Sequence, residues 1–129
     1  IPCNPPPWGT LAAIDLARGE IAWQVPLGTT RDIAPVPIPW KLGIPNLGGP
    51  LVTASGLVFV AAALDDYLRA FDVATGEELF AGRLPAGGQA TPMSYVGPSG
   101  RQYVVIAAGG HARAGSRIGD ALVAFALPR

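Results

Sequence analysis

The chain has 129 residues, enough for one domain with a core of its own. Half of them are hydrophobic and only 14% are charged, against about 25% in an ordinary soluble domain, so disorder driven by charge and low hydrophobicity is excluded. Nine basic residues balance nine acidic ones with no basic run, which excludes a nucleic-acid surface built on clustered Lys and Arg.

In chain order, residues 9–16 and 20–27 read as two apolar strands joined by a turn carrying Gly19. The proline-rich stretch 30–41 reads as a loop with little motif content. Residues 51–54, 57–63, 67–73 and 78–84 then form a four-stranded antiparallel meander, with turns at Ser55-Gly56 and Ala74-Thr75-Gly76. Strands at 91–96, 102–108 and 121–127 follow, the first two joined at Gly97-Pro98-Ser99-Gly100. No window of useful length keeps a helical period without Gly or Pro, so the fold class is all-β. The apolar run 57–64 is strand-sized, far below the ~20 residues of a membrane helix. The single Cys3 has no internal disulfide partner. With Ile rather than Met at its start, the chain reads as a segment of something longer.

An internal repeat organises these strands. The segment Leu11-Ala-Ala-Ile-Asp-Leu-Ala-Arg-Gly-Glu-Ile-Ala-Trp23 recurs 57 residues later as Leu68-Arg-Ala-Phe-Asp-Val-Ala-Thr-Gly-Glu-Glu-Leu-Phe80. A partial third copy, Leu122-Val-Ala-Phe-Ala-Leu127, follows after another 54 residues. Strand repeats of this length point to propeller blades. The expected organisation is 1–28 as the outer strands of one blade, 46–85 as a complete blade, and 88–129 as a last blade lacking its fourth strand. Because a meander alternates its connections between opposite edges, the plain turns at 55–56, 74–76 and 98–100 share one face. The opposite face receives 46–50, 64–67, 86–92 and the long loop 109–120, and with them every Gly-Gly pair and odd polar group. Loops carry sites on a rigid scaffold, so that face is the expected binding face.

The pattern Ala-Phe-Asp-Val-Ala-Thr-Gly-Glu, at 70–77, is similar to the blade motif of quinoprotein dehydrogenases. The stretches Pro5-Pro6-Pro7-Trp8-Gly9-Thr10-Leu11, Leu47-Gly48-Gly49-Pro50, Asp65-Asp66-Tyr67-Leu68-Arg69-Ala70, 83–93 and Gln102-Tyr103-Val104-Val105-Ile106 resemble the membrane-bound, PQQ-dependent glucose dehydrogenases. Ala107-Ala108-Gly109-Gly110-His111 resembles their C-terminal region. The resemblance implies a two-blade-plus fragment of an eight-bladed β-propeller, with PQQ on the axis, Ca or Mg bound and a membrane anchor elsewhere. It implies oxidation of glucose or other aldoses at the periplasmic face, with electrons passed to ubiquinone. By the same resemblance Asp65, Gly48 and Gly49 contact the cofactor and His111 the substrate. The family's catalytic base, cofactor-contacting Lys and metal ligands have no counterpart here, so catalytic and metal residues are expected outside this segment. The fragment alone is accordingly expected to be inactive.

Three further expectations concern single residues and edges. Asp65 and Asp66 are adjacent, so only one is expected to point inward, and the resemblance favours Asp65. Gln89 and Thr91 offer polar groups on the binding face without a motif to assign them. Strand 121–127, left without a neighbour, is expected to pair with another chain and make the isolated segment self-associate. The competing reading is a non-enzymatic propeller-like module that binds a partner through the loop face. A scaffold of that kind has no reason to match the family at Asp65 and His111.

Overall fold

A computed structural model of the chain describes residues 3–127. The ends of the expected 1–129 segment therefore lie outside the described residues. Nine strands form three antiparallel sheets: β1 (Thr10–Asp15) with β2 (Glu20–Pro26); β3 (Leu51–Val52), β4 (Leu57–Val60), β5 (Tyr67–Asp72) and β6 (Glu78–Arg83); and β7 (Met93–Val96), β8 (Gln102–Ala108) and β9 (Ala121–Phe125). In each sheet the strands lie in chain order. The architecture is all-β, as expected.

The repeat is physical down to its irregularities. In the first hairpin Asp15 Oδ1 accepts the N–H groups of Ala17 and Arg18 at 2.9 and 3.1 Å. In the second, Asp72 Oδ1 accepts those of Ala74 and Thr75 at 2.7 and 2.9 Å. Gly19 and Gly76 take up the left-handed turn position, with φ of 67° and 74°. Both ladders also carry a register shift at the same place in the repeat, Ala13/Ile14 and Ala70/Phe71.

The inner strands β4 and β5 of the middle sheet are covered on both faces, which explains why β4 reads as a continuous apolar run rather than an alternating one. Val58, Val60 and Ala62 join Leu27, Ile44 and Phe71 in one core against the first sheet. Ala61, with the partly buried Phe59, joins Leu68, Leu84, Val104 and Ile106 in a second core against the third. Aromatics dock the sheets. Trp23 of β2 donates its indole N–H to the Val73 carbonyl at 2.9 Å and lies over Gly76, where a Cβ would come within 2.7 Å of the ring. Phe80, at the same repeat position in β6, meets Phe125 of β9 edge to face at 5.7 Å.

Two strands stop short of their apolar runs. β4 ends at Val60 because residues 61–64 turn to a different partner: Leu47 N–H donates to the Ala62 carbonyl at 2.8 Å, and Leu64 N–H to that of Pro45 at 3.2 Å. This exchange carries the chain into Asp65 on the loop face. β7 begins at Met93 rather than Thr91, since Pro92 has no N–H to give a ladder.

Candidate functional site

The loops opposite the plain turns gather around two acidic residues. Asp65 and Asp66 are both buried. Their side chains do diverge, but protein covers each side. Asp65 accepts Arg69 Nη1 and Nη2 at 2.8 and 2.5 Å, and the Thr29 N–H and hydroxyl at 2.7 and 3.0 Å. Arg69, itself 3% exposed, also lies 3.6 Å from Glu78. A buried carboxylate is tolerable only when paired and fully hydrogen-bonded, and four donors meet that condition.

Asp66 turns the other way, to 3.6 Å from both Arg83 and Arg117. Its backbone N–H donates to Asp32 Oδ2 at 3.3 Å, and Arg83 grips Asp32 with two bonds of 2.6 Å. Those bonds hold the Asp32 carboxyl below the ordinary carboxylate range despite its burial, and push the Arg83 guanidinium upward. For Asp66 burial dominates, seconded by the Asp32 charge, and raises its carboxyl. Tyr67 lies between the Arg69 and Arg83 guanidinium groups, at 5.2 and 4.9 Å from its ring centre, and its hydroxyl oxygen accepts Arg31 at 3.0 Å. The register makes this inevitable: Arg69 follows Tyr67 by two along β5, and Arg83 sits opposite it on β6.

Sequence reasoning missed the acidic pair's partners in the proline-rich loop. Thr29 and Asp32 anchor it to Asp65 and Asp66. Thr30 closes it through its hydroxyl, which donates to the Ile38 carbonyl at 2.5 Å. The one signal was the polar run Thr29-Thr30-Arg31-Asp32 in an otherwise apolar stretch.

The glycine pair Gly48-Gly49 lies in the loop just before β3, Gly48 exposed with φ of 133°. A Cβ on Gly48 would come within 2.7 Å of the Gln89 carbonyl, and one on Gly49 within 3.0 Å of Thr91 Oγ1. Close approach of the chain to itself therefore already demands glycine at Gly48. His111 is exposed at the start of a 3-10 turn, Ala112–Ala114. Its Nδ1 accepts the Ala114 N–H at 3.3 Å and its own N–H donates to Ser116 Oγ at 2.8 Å.

Gln89 connects these pieces. Its carbonyl packs against Gly48, its side-chain Nε2 donates to the Ala63 carbonyl at 3.1 Å, two residues before Asp65, and its Oε1 accepts the Ser116 hydroxyl at 2.8 Å. The structure thus joins the Gly48, Asp65 and His111 loops through one residue to which no motif assigned a role, its backbone carbonyl meeting Gly48 and its side chain the other two. Among the described residues, no group of three or more His, Cys, Asp or Glu could hold a metal ion.

Comparison with known proteins gives this face its context. Residues 1–104 match the family model described as PQQ: Glucose/ethanol/alcohol dehydrogenase, beta-propeller domain. The chain belongs to this family of PQQ β-propellers. It is 51% identical over 99% of its length to the quinoprotein glucose dehydrogenase of Escherichia coli, and 54% identical over 99% to a probable quinate dehydrogenase (quinone) of Xanthomonas campestris. It covers 16% and 17% of those two proteins. Among solved structures it is similar to the quinohemoprotein alcohol dehydrogenase of Comamonas testosteroni, with a TM-score of 0.63 at 26% identity, over 91% of this chain and 16% of the other. Membership of the PQQ family is therefore established, while glucose and quinate relatives stand equally near.

Proposed function

We propose that the chain forms part of a quinoprotein dehydrogenase at the periplasmic face of a membrane, oxidising glucose or another aldose to its lactone and passing electrons to ubiquinone. The observation that carries this reading is the convergence of the Gly48, Asp65 and His111 loops on one residue, Gln89, in a chain half identical to glucose dehydrogenases. The resemblance of Asp65-Asp66-Tyr67 and Gly109-Gly110-His111 to the glucose dehydrogenases supports this reading.

PQQ fits this face by the chemistry of its donors. The exposed backbone at Gly48 leaves a surface without a side chain for a flat ring, and guanidinium groups of the loop face suit an acidic cofactor. In this reading Gly48 and Gly49 lie against the cofactor. Asp65 serves it from behind, holding Arg69 and the Thr29 backbone in place. Bound PQQ supplies the two-electron acceptor. His111 orients the substrate by hydrogen bonding to one of its oxygens. Ca or Mg, the general base and the remaining blades come from outside these residues, so the segment alone reduces no dye in the presence of glucose.

Steady-state kinetics of the complete enzyme with added PQQ test the substrate, using glucose, quinate and a simple polyol with an artificial acceptor. Glucose is expected to give the highest kcat/KM. A clear preference for quinate or the polyol would overturn the aldose assignment while leaving the family intact.

A further inference from the structure

The proposed contact of His111 with substrate is the reading on which the following rests. The ring is exposed but not free. The Ala114 N–H is shared between the His111 carbonyl at 3.1 Å and Nδ1 at 3.3 Å, and a nitrogen that accepts a hydrogen bond carries no proton, so the proton of the neutral ring lies on Nε2. Nε2–H is then a donor on an exposed side chain.

The backbone behind the ring is fixed by a relay with one consistent direction. Ser116, almost fully buried, gives its single hydroxyl proton to Gln89 Oε1 at 2.8 Å, leaving lone pairs to accept the His111 N–H at 2.8 Å. The Gln89 amide cannot be flipped, because its NH2 group must face the Ala63 carbonyl at 3.1 Å. Glycines make the room. A Cβ on Gly87 would lie 2.4 Å from Gln89 Oε1 and 2.7 Å from Ser116 Oγ. A Cβ on Gly110, whose φ is 69°, would lie 2.0 Å from the Arg117 carbonyl.

We propose that Ser116 and Gln89 are positioning residues that hold His111 as an Nε2–H donor toward a hydroxyl or ring oxygen of a polyhydroxylated substrate, and so set substrate preference through it.

Two measurements test this. The 129-residue chain holds one histidine, so nitrogen-15 labelling of histidine gives an NMR signature free of overlap. At alkaline pH the folded chain is expected to show the Nε2-protonated tautomer. Ser116→Ala, or Gln89→Met should that variant not fold, is expected to give a mixture, and Ser116→Thr to restore it. An Nδ1-protonated ring in the parent chain, or an unchanged tautomer in Ser116→Ala, would overturn the proposal.

In the complete enzyme, Ser116→Ala is expected to raise KM for the preferred substrate about three- to tenfold with a smaller change in kcat. It should add nothing in a His111→Asn background, because the two residues act as one unit. An equal rise in both backgrounds would mean that Ser116 does not act through His111. Wild-type KM and substrate preference in His111→Asn itself would instead remove the substrate role of His111, with the tautomer result still judging the relay.

Discussion

Asp66 lies 3.6 Å from both Arg83 and Arg117, yet burial and the Asp32 charge push its carboxyl above the ordinary range, while Arg83 holds Asp32 below it. The two shifts act on stability with opposite signs. A lowered carboxyl such as Asp32 stabilises the fold above its unfolded-state pKa, and that contribution is lost as pH falls through the folded-state value. A raised one such as Asp66 favours the fold at low pH, and loses that contribution as pH rises through its folded value. Asp66→Asn is therefore expected to melt higher than the parent chain at neutral pH, with the gain shrinking as the solution is acidified. Thermal melts across that range check it, and a variant less stable at neutral than at acid pH relative to the parent would contradict it. Asp65 differs in kind. Four donors satisfy its carboxylate, and its removal would strand the buried Arg69 guanidinium. Sequence reading located both aspartates but not their fates, because what covers them comes from Thr29–Asp32, more than 30 residues away, and no local pattern encodes that contact.

Between elements, the docking aromatics show how one repeat position is solved in two ways. The Trp23 indole donates to the Val73 carbonyl of the next sheet. At the second copy the side chain is Phe80, and the corresponding carbonyl, that of Leu127, is taken instead by the Arg101 guanidinium. A cavity of about 430 Å3 remains there, lined in part by Phe80, Phe125 and Leu127. Trp23→Phe is expected to cost about 1 kcal/mol, the usual net worth of one hydrogen bond, read as a lower denaturant midpoint. No change would mean that the indole bond carries no net stability. The open edge of β9 is the other consequence at this scale. With β8 as its one partner and Leu122 75% exposed, it offers an apolar template for another chain. The segment is expected to self-associate, and Leu122→Lys to shift it toward monomer. Light scattering showing a monomeric parent chain at high concentration would contradict this. The strands themselves were legible, since period-two burial and Asp/Gly turns are local signals. The ends of β4 and β7 were not, because a change of ladder partner at Ala61 and a missing N–H at Pro92 decided them.

At the scale of the molecule, two cores sandwich the inner strands β4 and β5 of the central sheet, while the outer sheets present apolar side chains such as Ile14, Ile21 and Val96 to solvent. Stacked repeats bury such faces against their neighbours, which agrees with a chain spanning about 16% of its relatives. Because each sheet keeps its strands in chain order, connections alternate between its edges, so the sorting of 64–67 and 109–120 to the side opposite the plain turns follows from the meander and not from any one residue. The central claim is that this side meets the cofactor and the substrate. A crystal structure of the complete enzyme loaded with PQQ and a sugar tests it most directly. The account predicts cofactor density against Gly48-Gly49 and a sugar oxygen within hydrogen-bonding distance of His111 Nε2. Density for both on the opposite side, against the turns at Gly56, Gly76 and Gly100, would contradict it.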